Sequence, residues 1–245
     1  TLKMSDQLSI ETKIDRLIDS MTLEEKNGQM TQVRHFDDIK GNDIADKFIG
    51  SVIHTQGPLP GQIVQEWQAK FTGLQNQALS TRLAIPLIFG VDAVHGQNTY
   101  EGATIFPHNI GLGAAGNPDL VEKAAKITAL ESQATGFSWV FSPCVAIPYN
   151  EDYGVEGGNT TLSRTEVIEK LLPPYQAAVD EGVGAVMASF NTLDGISMHA
   201  HKELITDTLK GALGFDGIMV SDWKGYSRFG ETDIINAGID MVMAV

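Results

Sequence analysis

Residues 185–225, AVMASFNTLDGISMHAHKELITDTLKGALGFDGIMVSDWKG, hold the pattern that decides the fold. Two short runs, AVMASF (185–190) and GIMVSD (217–222), are mostly apolar on both faces. Between them HKELITDTLKGALG (201–214) has the spacing of an amphipathic helix and ends in glycine. Strand, helix, strand in that order predicts two parallel strands with the helix outside, since parallel neighbours need a crossover.

The same unit recurs outward in both directions. Further strand-like runs are MTQVR (30–34), IGSVIH (49–54), LIFGVD (87–92), WVFSPCVAI (139–147) and GIDMVMA (238–244). Thr22 with Glu25 forms a capping-box pattern before a helix. Asn117-Pro118-Asp119 offers a cap, an N1 proline and an acidic first turn, opening a helix to about Gly136. Ser163 with Glu166 is a second capping box, and Pro173-Pro174 should interrupt the helix it opens.

Repetition of this kind leaves a barrel or a doubly wound sheet. No Gly-x-Gly-x-x-Gly follows a strand, which removes support for the dinucleotide-binding version. His54, Asp92, Asn191 and Asp222 stand at the C-terminal ends of strands, where a barrel gathers its catalytic groups. The expected fold is therefore an α/β, (β/α)8 TIM-barrel-like domain over 1–245. It is incomplete, because seven strands are recognised.

Composition narrows the function. The chain has 245 residues, 42% hydrophobic, enough for one large α/β core. A formal charge of −14 argues against a nucleic-acid partner, which would need clustered Lys and Arg. No apolar run is long enough for a membrane span. The first residues, TLKMSDQLSIETK, lack a signal-peptide core, which leaves the compartment open. Cys144 is the only cysteine, so neither an internal disulfide nor a multi-cysteine zinc site can form. Its apolar neighbours suggest a packed thiol.

Three passages could carry chemistry. In GVDAVHGQ (90–97), Asp92 ends a buried strand, where a carboxylate can accept hydrogen bonds from adjacent sugar hydroxyls. Gly90 and Gly96 would let the backbone approach a ligand closely. The plain alternative is that Asp92 caps a turn. In GFDGIMVSDWKGY (214–226), the Asp222 carboxylate ends a strand with Trp223 beside it. Aromatic faces stack on sugar C–H faces, and a carboxylate can attack an oxocarbenium-like carbon. Here the alternative is Asp222 as a helix N-cap and Trp223 as packing. In MASFNTLDGISMHAHKEL (187–204), His199 and His201, with His95, invite a metal reading. Their spacing resembles no helix-borne ligand pair, so hydrogen-bonded loop histidines are the better reading, and no cofactor is called for.

Taken together, these passages resemble glycoside hydrolase family 3, on its β-glucosidase and exo-β-glucanase side. MTLEEKNGQMTQ (21–32) resembles the family's N-terminal signature, and STRLAIPLIFGVDAVHGQNTYEGATIFPHNIGLGA (80–114) its third strand and loop. Residues 185–225 resemble its sixth and seventh strands and NAGIDMVMAV (236–245) its eighth. The resemblance implies a retaining β-glycosidase acting on terminal β-D-glucosyl residues of β-glucosides or β-glucans. It implies Asp222 as nucleophile, Asp92 as the grip on sugar hydroxyls and Trp223 as the wall of the outer subsite. Phe190, where the family often has a tyrosine, and Met198 join the substrate-binding set.

The match breaks near 148–158. There the family continues with an Arg-containing segment, a fifth strand and a Lys-His pair, so an internal deletion is expected. The chain reaches Val245 just after its last strand, whereas the acid/base glutamate in this branch comes from a following α/β-sandwich domain. A second domain or another chain is thus expected to complete the site, since Glu101, Glu151 and Glu156 match no such role. Lacking the Lys-His motif, the sequence disfavours the β-N-acetylhexosaminidase branch. The alternative from another class is a non-catalytic or inactive barrel fragment that binds sugar weakly.

Overall fold

A computed structural model describes residues 9–34, 38–55, 64–145 and 157–244. All seven predicted strand runs are strands: β1 (Thr31–Arg34), β2 (Ser51–His54), β3 (Ile88–Val91), β4 (Trp139–Val140), β6 (Ala185–Met187), β9 (Ile218–Val220) and β10 (Val242–Ala244). Three two-residue strands lie among them: β5 (Asn159–Thr160), β7 (Thr192–Leu193) and β8 (Ile196–Ser197).

Pairing is parallel throughout the main sheet. One sheet runs β10-β1-β2-β3-β4, and β6 pairs with β9. A parallel bridge between Val220 and Met241 joins the two, giving the order β6-β9-β10-β1-β2-β3-β4. Crossover helices include Val64–Leu79 before β3, Pro118–Ala134 before β4 and Glu203–Ala212 before β9. Among the described residues no ladder joins β4 to β6, so barrel closure is not observed.

Local signals explain the helices. Thr22 and Glu25 form the reciprocal box: the hydroxyl accepts the Glu25 N–H (3.2 Å) and the carboxylate accepts the Thr22 N–H (2.8 Å). Arg82 then donates to the same Glu25 carboxylate, holding it below the usual carboxylate range. Asn117 caps Pro118–Ala134 by accepting the Leu120 N–H at 3.2 Å. Pro173-Pro174 do not break their helix outright. A wide π turn, Val167–Leu171, absorbs the change, and α-helix resumes at Leu172–Asp180 with prolines in its first turn, where a missing N–H costs little.

Two apolar clusters pack helices onto the sheet. Ile44, Val52, Trp67, Phe71, Phe89 and Phe137 fill one side of β2–β3. Phe71 meets Phe89 and Phe137 edge-on at 4.4 and 5.0 Å between centroids, a favoured aromatic geometry. Ile205, Leu209, Met219, Ile234 and Ile239 form the second cluster beside β6–β9. Each fully buried side chain of this kind contributes about 1.5–3 kcal/mol. A polar thread crosses the sheet: Gln32 Nε2 donates to Ser51 Oγ (2.8 Å), which donates to the Ile88 carbonyl (2.9 Å). It ties β1, β2 and β3 with a buried network, so register is set by polar as well as apolar contacts.

One expectation needs correcting. Cys144 is exposed rather than packed, because β4 is only two residues long and the chain has left the sheet before Cys144. Gly90 and Gly96 also serve the chain's own packing. A Cβ at Gly90 would stand 2.8 Å from the Phe141 ring, and one at Gly96 only 2.0 Å from the Thr104 carbonyl oxygen.

Candidate active site

Because β3 and β9 are parallel strands of one order, Asp92 and Asp222, which follow them, lie on the same rim. Asp92 is half-buried, and desolvation raises its pKa. Among the described residues its carboxylate caps no turn. The Asn98 amide, oriented to satisfy its neighbours, instead donates to the Asp92 and Gly96 carbonyls (2.7 and 3.2 Å) and shapes the loop. His95 is locked in that loop, its Nδ1 3.1 Å from the Phe106 carbonyl and its own carbonyl accepting the Phe106 N–H (2.8 Å).

Asp222 sits in a tight turn built by β9 and β10. The Ser221 N–H donates to the Met241 carbonyl, and Ser221 Oγ accepts the Met243 N–H, both at 2.9 Å. The Gly225 N–H closes the turn onto the Asp222 carbonyl at 2.9 Å. Lys224 takes φ 57°, a left-handed conformation unusual for a side-chain-bearing residue. The Asp222 carboxylate accepts the Trp223 N–H. The helix that follows, Gly225–Phe229, starts from Lys224 without a side-chain cap, so Asp222 is not its N-cap. Trp223 is 39% exposed, and its ring is flanked by the Lys224 ammonium at 4.6 Å and the Arg34 guanidinium at 5.3 Å.

Behind this turn lies His199, a residue that the sequence suggested only as a loop histidine. It is fully buried, and its Nε2 accepts the Asp222 backbone N–H at 2.9 Å. Its ring packs against both Phe190 and Phe229, with centroids at 5.6 and 5.0 Å and planes within 25° and 23°, and the two phenylalanines meet each other at 6.4 Å. Arg228 sits over Phe190 at 4.5 Å. Phe190 thus reaches Asp222 through His199. Met198 goes elsewhere: it lines an apolar cavity of about 150 Å³ with Val186, Leu193, Leu204 and Met219, and Asp222 is not part of that lining.

Gly225 completes the packing. A Cβ there would lie 2.4 Å from His199 Nε2 and 2.5 Å from Cδ2. Gly225→Ala is expected to cost about 1–3 kcal/mol, the usual penalty of overpacking a rigid site. The midpoint of urea unfolding measures it, and an unchanged midpoint would mean that the ring moves aside freely.

Among the described residues no three His, Cys, Asp or Glu side chains gather to hold a metal ion. No helix among them is long and apolar enough to cross a membrane. Glu101 is exposed on a loop, and Glu151 and Glu156 lie outside the described residues.

Residues 22–160 and 149–245 match the family model of the glycosyl hydrolase family 3 N-terminal domain. The chain belongs to glycoside hydrolase family 3. A lysosomal β-glucosidase of Dictyostelium discoideum is 27% identical over 320 aligned positions, covering 95% of this chain and 39% of that protein. The exo-1,3/1,4-β-glucanase of a Pseudoalteromonas species superposes with a TM-score of 0.86 at 30% identity, over 95% of this chain and 37% of that one. A β-glucosidase from Listeria innocua, solved in complex with isofagomine, gives 0.76 at 25% identity, over 96% and 41%. The chain therefore spans about two-fifths of the length of these relatives, and its α/β fold is that of the family's TIM-barrel-like N-terminal domain.

Proposed function

We propose that this domain is the sugar-binding barrel of a retaining β-glycosidase that acts on terminal β-D-glucosyl residues. The observation that carries the reading is the Asp222 turn. There a carboxylate is held at the rim of a parallel sheet by the next backbone N–H, with a half-exposed indole beside it. Asp222 attacks the anomeric carbon and forms a glycosyl ester as the glycosidic C–O bond breaks. Water then attacks the same carbon and releases the carboxylate. Asp92, on the same rim, accepts hydrogen bonds from the sugar's hydroxyls, and Trp223 lies under the neighbouring sugar. Names of the relatives support a β-glucoside or β-glucan as substrate.

No described residue is assigned as the general acid. We assign it to a second domain or another chain, and we infer that a block is absent near 148–158. Supporting this, the family match falls into two stretches that overlap there, at 149–160, and 320 aligned positions are 75 more than the chain's 245 residues. Strands β4 and β6, which no ladder joins among the described residues, flank the same place. They also favour the second reading, an inactive barrel that binds sugar weakly.

An activated aryl β-glucoside separates the two, because nitrophenolate departs without protonation and bypasses the missing acid. Expected is a burst of nitrophenolate with a hexosyl adduct on the 217–225 peptide by mass spectrometry. Absence of both, in a protein whose melting temperature still rises with glucose, would establish the binding-only reading.

A further inference from the structure

The peptide bearing Asp222 is held from behind by one side chain that the proposed chemistry does not use. We propose that His199 is a positioning residue: its neutral ring, through Nε2, accepts the Asp222 N–H and so fixes the direction in which the carboxylate points. The inference rests on Asp222 being the attacking group.

Four observations converge on it. A backbone N–H can only donate, so the 2.9 Å contact requires Nε2 to be unprotonated and the ring proton to sit on Nδ1. Nδ1 is buried and finds no partner of good geometry among the described residues, and the Ser189 backbone lies close to the ring. Tilting of the ring is restricted, since Phe190 and Phe229 both pack against it with planes within 25° and 23° of its own, and against each other at 6.4 Å. Gly225 leaves no space before Nε2 for any side chain, so the turn approaches the ring as closely as a backbone can. A histidine that served only as core filling would need none of this. Phenylalanine would stack as well and would leave a buried N–H unsatisfied.

Asp222 Oδ1 also accepts the N–H of Trp223, one residue on. The carboxylate is thereby gripped from the front by the peptide that follows it, while His199 grips the peptide that precedes it. Loss of the rear contact frees the Ser221–Asp222 peptide to rotate and carries the carboxylate off its line of attack, and small misplacements of a nucleophile are costly.

Two variants separate positioning from packing. His199→Phe keeps a flat ring against its aromatic neighbours but presents a C–H to the Asp222 amide. His199→Gln loses the ring but places an amide oxygen near the former Nε2. Amide hydrogen exchange at Asp222 is expected to accelerate at least about tenfold in His199→Phe and to return toward wild type in His199→Gln. The burst rate with the aryl β-glucoside is expected to fall about 10–100-fold in the Phe variant with KM nearly constant, and to recover in part in the Gln variant. Nitrogen-15 spectra of the wild type at neutral pH should show the Nδ1–H tautomer. An Nε2–H tautomer, equal Asp222 protection in all three proteins, or a burst rate unchanged in His199→Phe would each overturn the proposal. Should the wild type form no adduct, the chain alone is inactive and the Asp222 reading is tested in a full-length protein, while exchange and tautomer alone decide whether His199 holds the turn.

Discussion

Asp222→Asn is expected to lower the burst and turnover of an aryl β-glucoside by about 10⁴-fold, the scale of a lost nucleophile. The melting temperature should scarcely change. An asparagine oxygen can still accept the Trp223 N–H, and its backbone N–H can still donate to His199, so the turn survives. An amide nitrogen in place of one carboxylate oxygen cannot form the glycosyl ester. Activity within a fewfold of wild type would remove Asp222 from the chemistry. If the 245 residues alone are inert, the same substitution is made in a full-length protein that supplies the second domain. There Asp222→Gly with added azide should yield an α-glycosyl azide, because azide enters the space left by the carboxylate and attacks from the same face. A β-glycosyl azide would show attack from the opposite face.

The seven strands were legible in sequence for a physical reason. Parallel strands are covered on both faces, so runs such as SVIH and IFGV read as largely apolar stretches between glycine and proline. The Thr22–Glu25 and Asn117 caps were legible because capping is local in sequence. What escaped was non-local. His199 lies 23 residues from Asp222 in the chain, and nothing in its immediate neighbours, Met198 and Ala200, announces a hydrogen bond to a distant turn. Gly225, close behind Asp222 in the same motif, could have hinted at close approach, but a glycine after Lys reads first as a turn residue. The exposure of Cys144 escaped for a similar reason. Apolar neighbours suggested burial, yet β4 pairs with β3 over two positions only, and local composition does not say where pairing stops.

His199 also gives the domain an expected acid sensitivity with a defined window. Burial lowers its pKa from 6.5 to about 4, with the Arg228 charge acting in the same direction and the Ser189 carbonyl against it. Above pH 6.5 the ring is neutral both folded and unfolded and contributes no pH dependence. As pH falls through 6.5 the unfolded chain takes up a proton that the folded protein refuses, so stability is lost until the folded ring protonates near pH 4. The full loss is about 3 kcal/mol, from the size of the shift. His201, also lowered by burial, adds to the loss, whereas Asp92, raised by burial, offsets part of it by taking up a proton first in the folded state. Glu25 and Glu166, both lowered by hydrogen bonds and ion pairs, begin to act within the lower end of that window, as pH falls under their ordinary value of 4.5, and continue below it. Comparing wild type with His199→Phe cancels these other groups. Urea midpoints taken from pH 7 to pH 4 should fall more steeply for the wild type, with the difference between the two proteins closing by about 3 kcal/mol over that range. Protonation below pH 4 would also turn Nε2 from acceptor to donor against the Asp222 N–H, so the same ring that orients the turn would release it. Parallel stability curves for the two proteins would mean that His199 ionises as freely when folded as when unfolded.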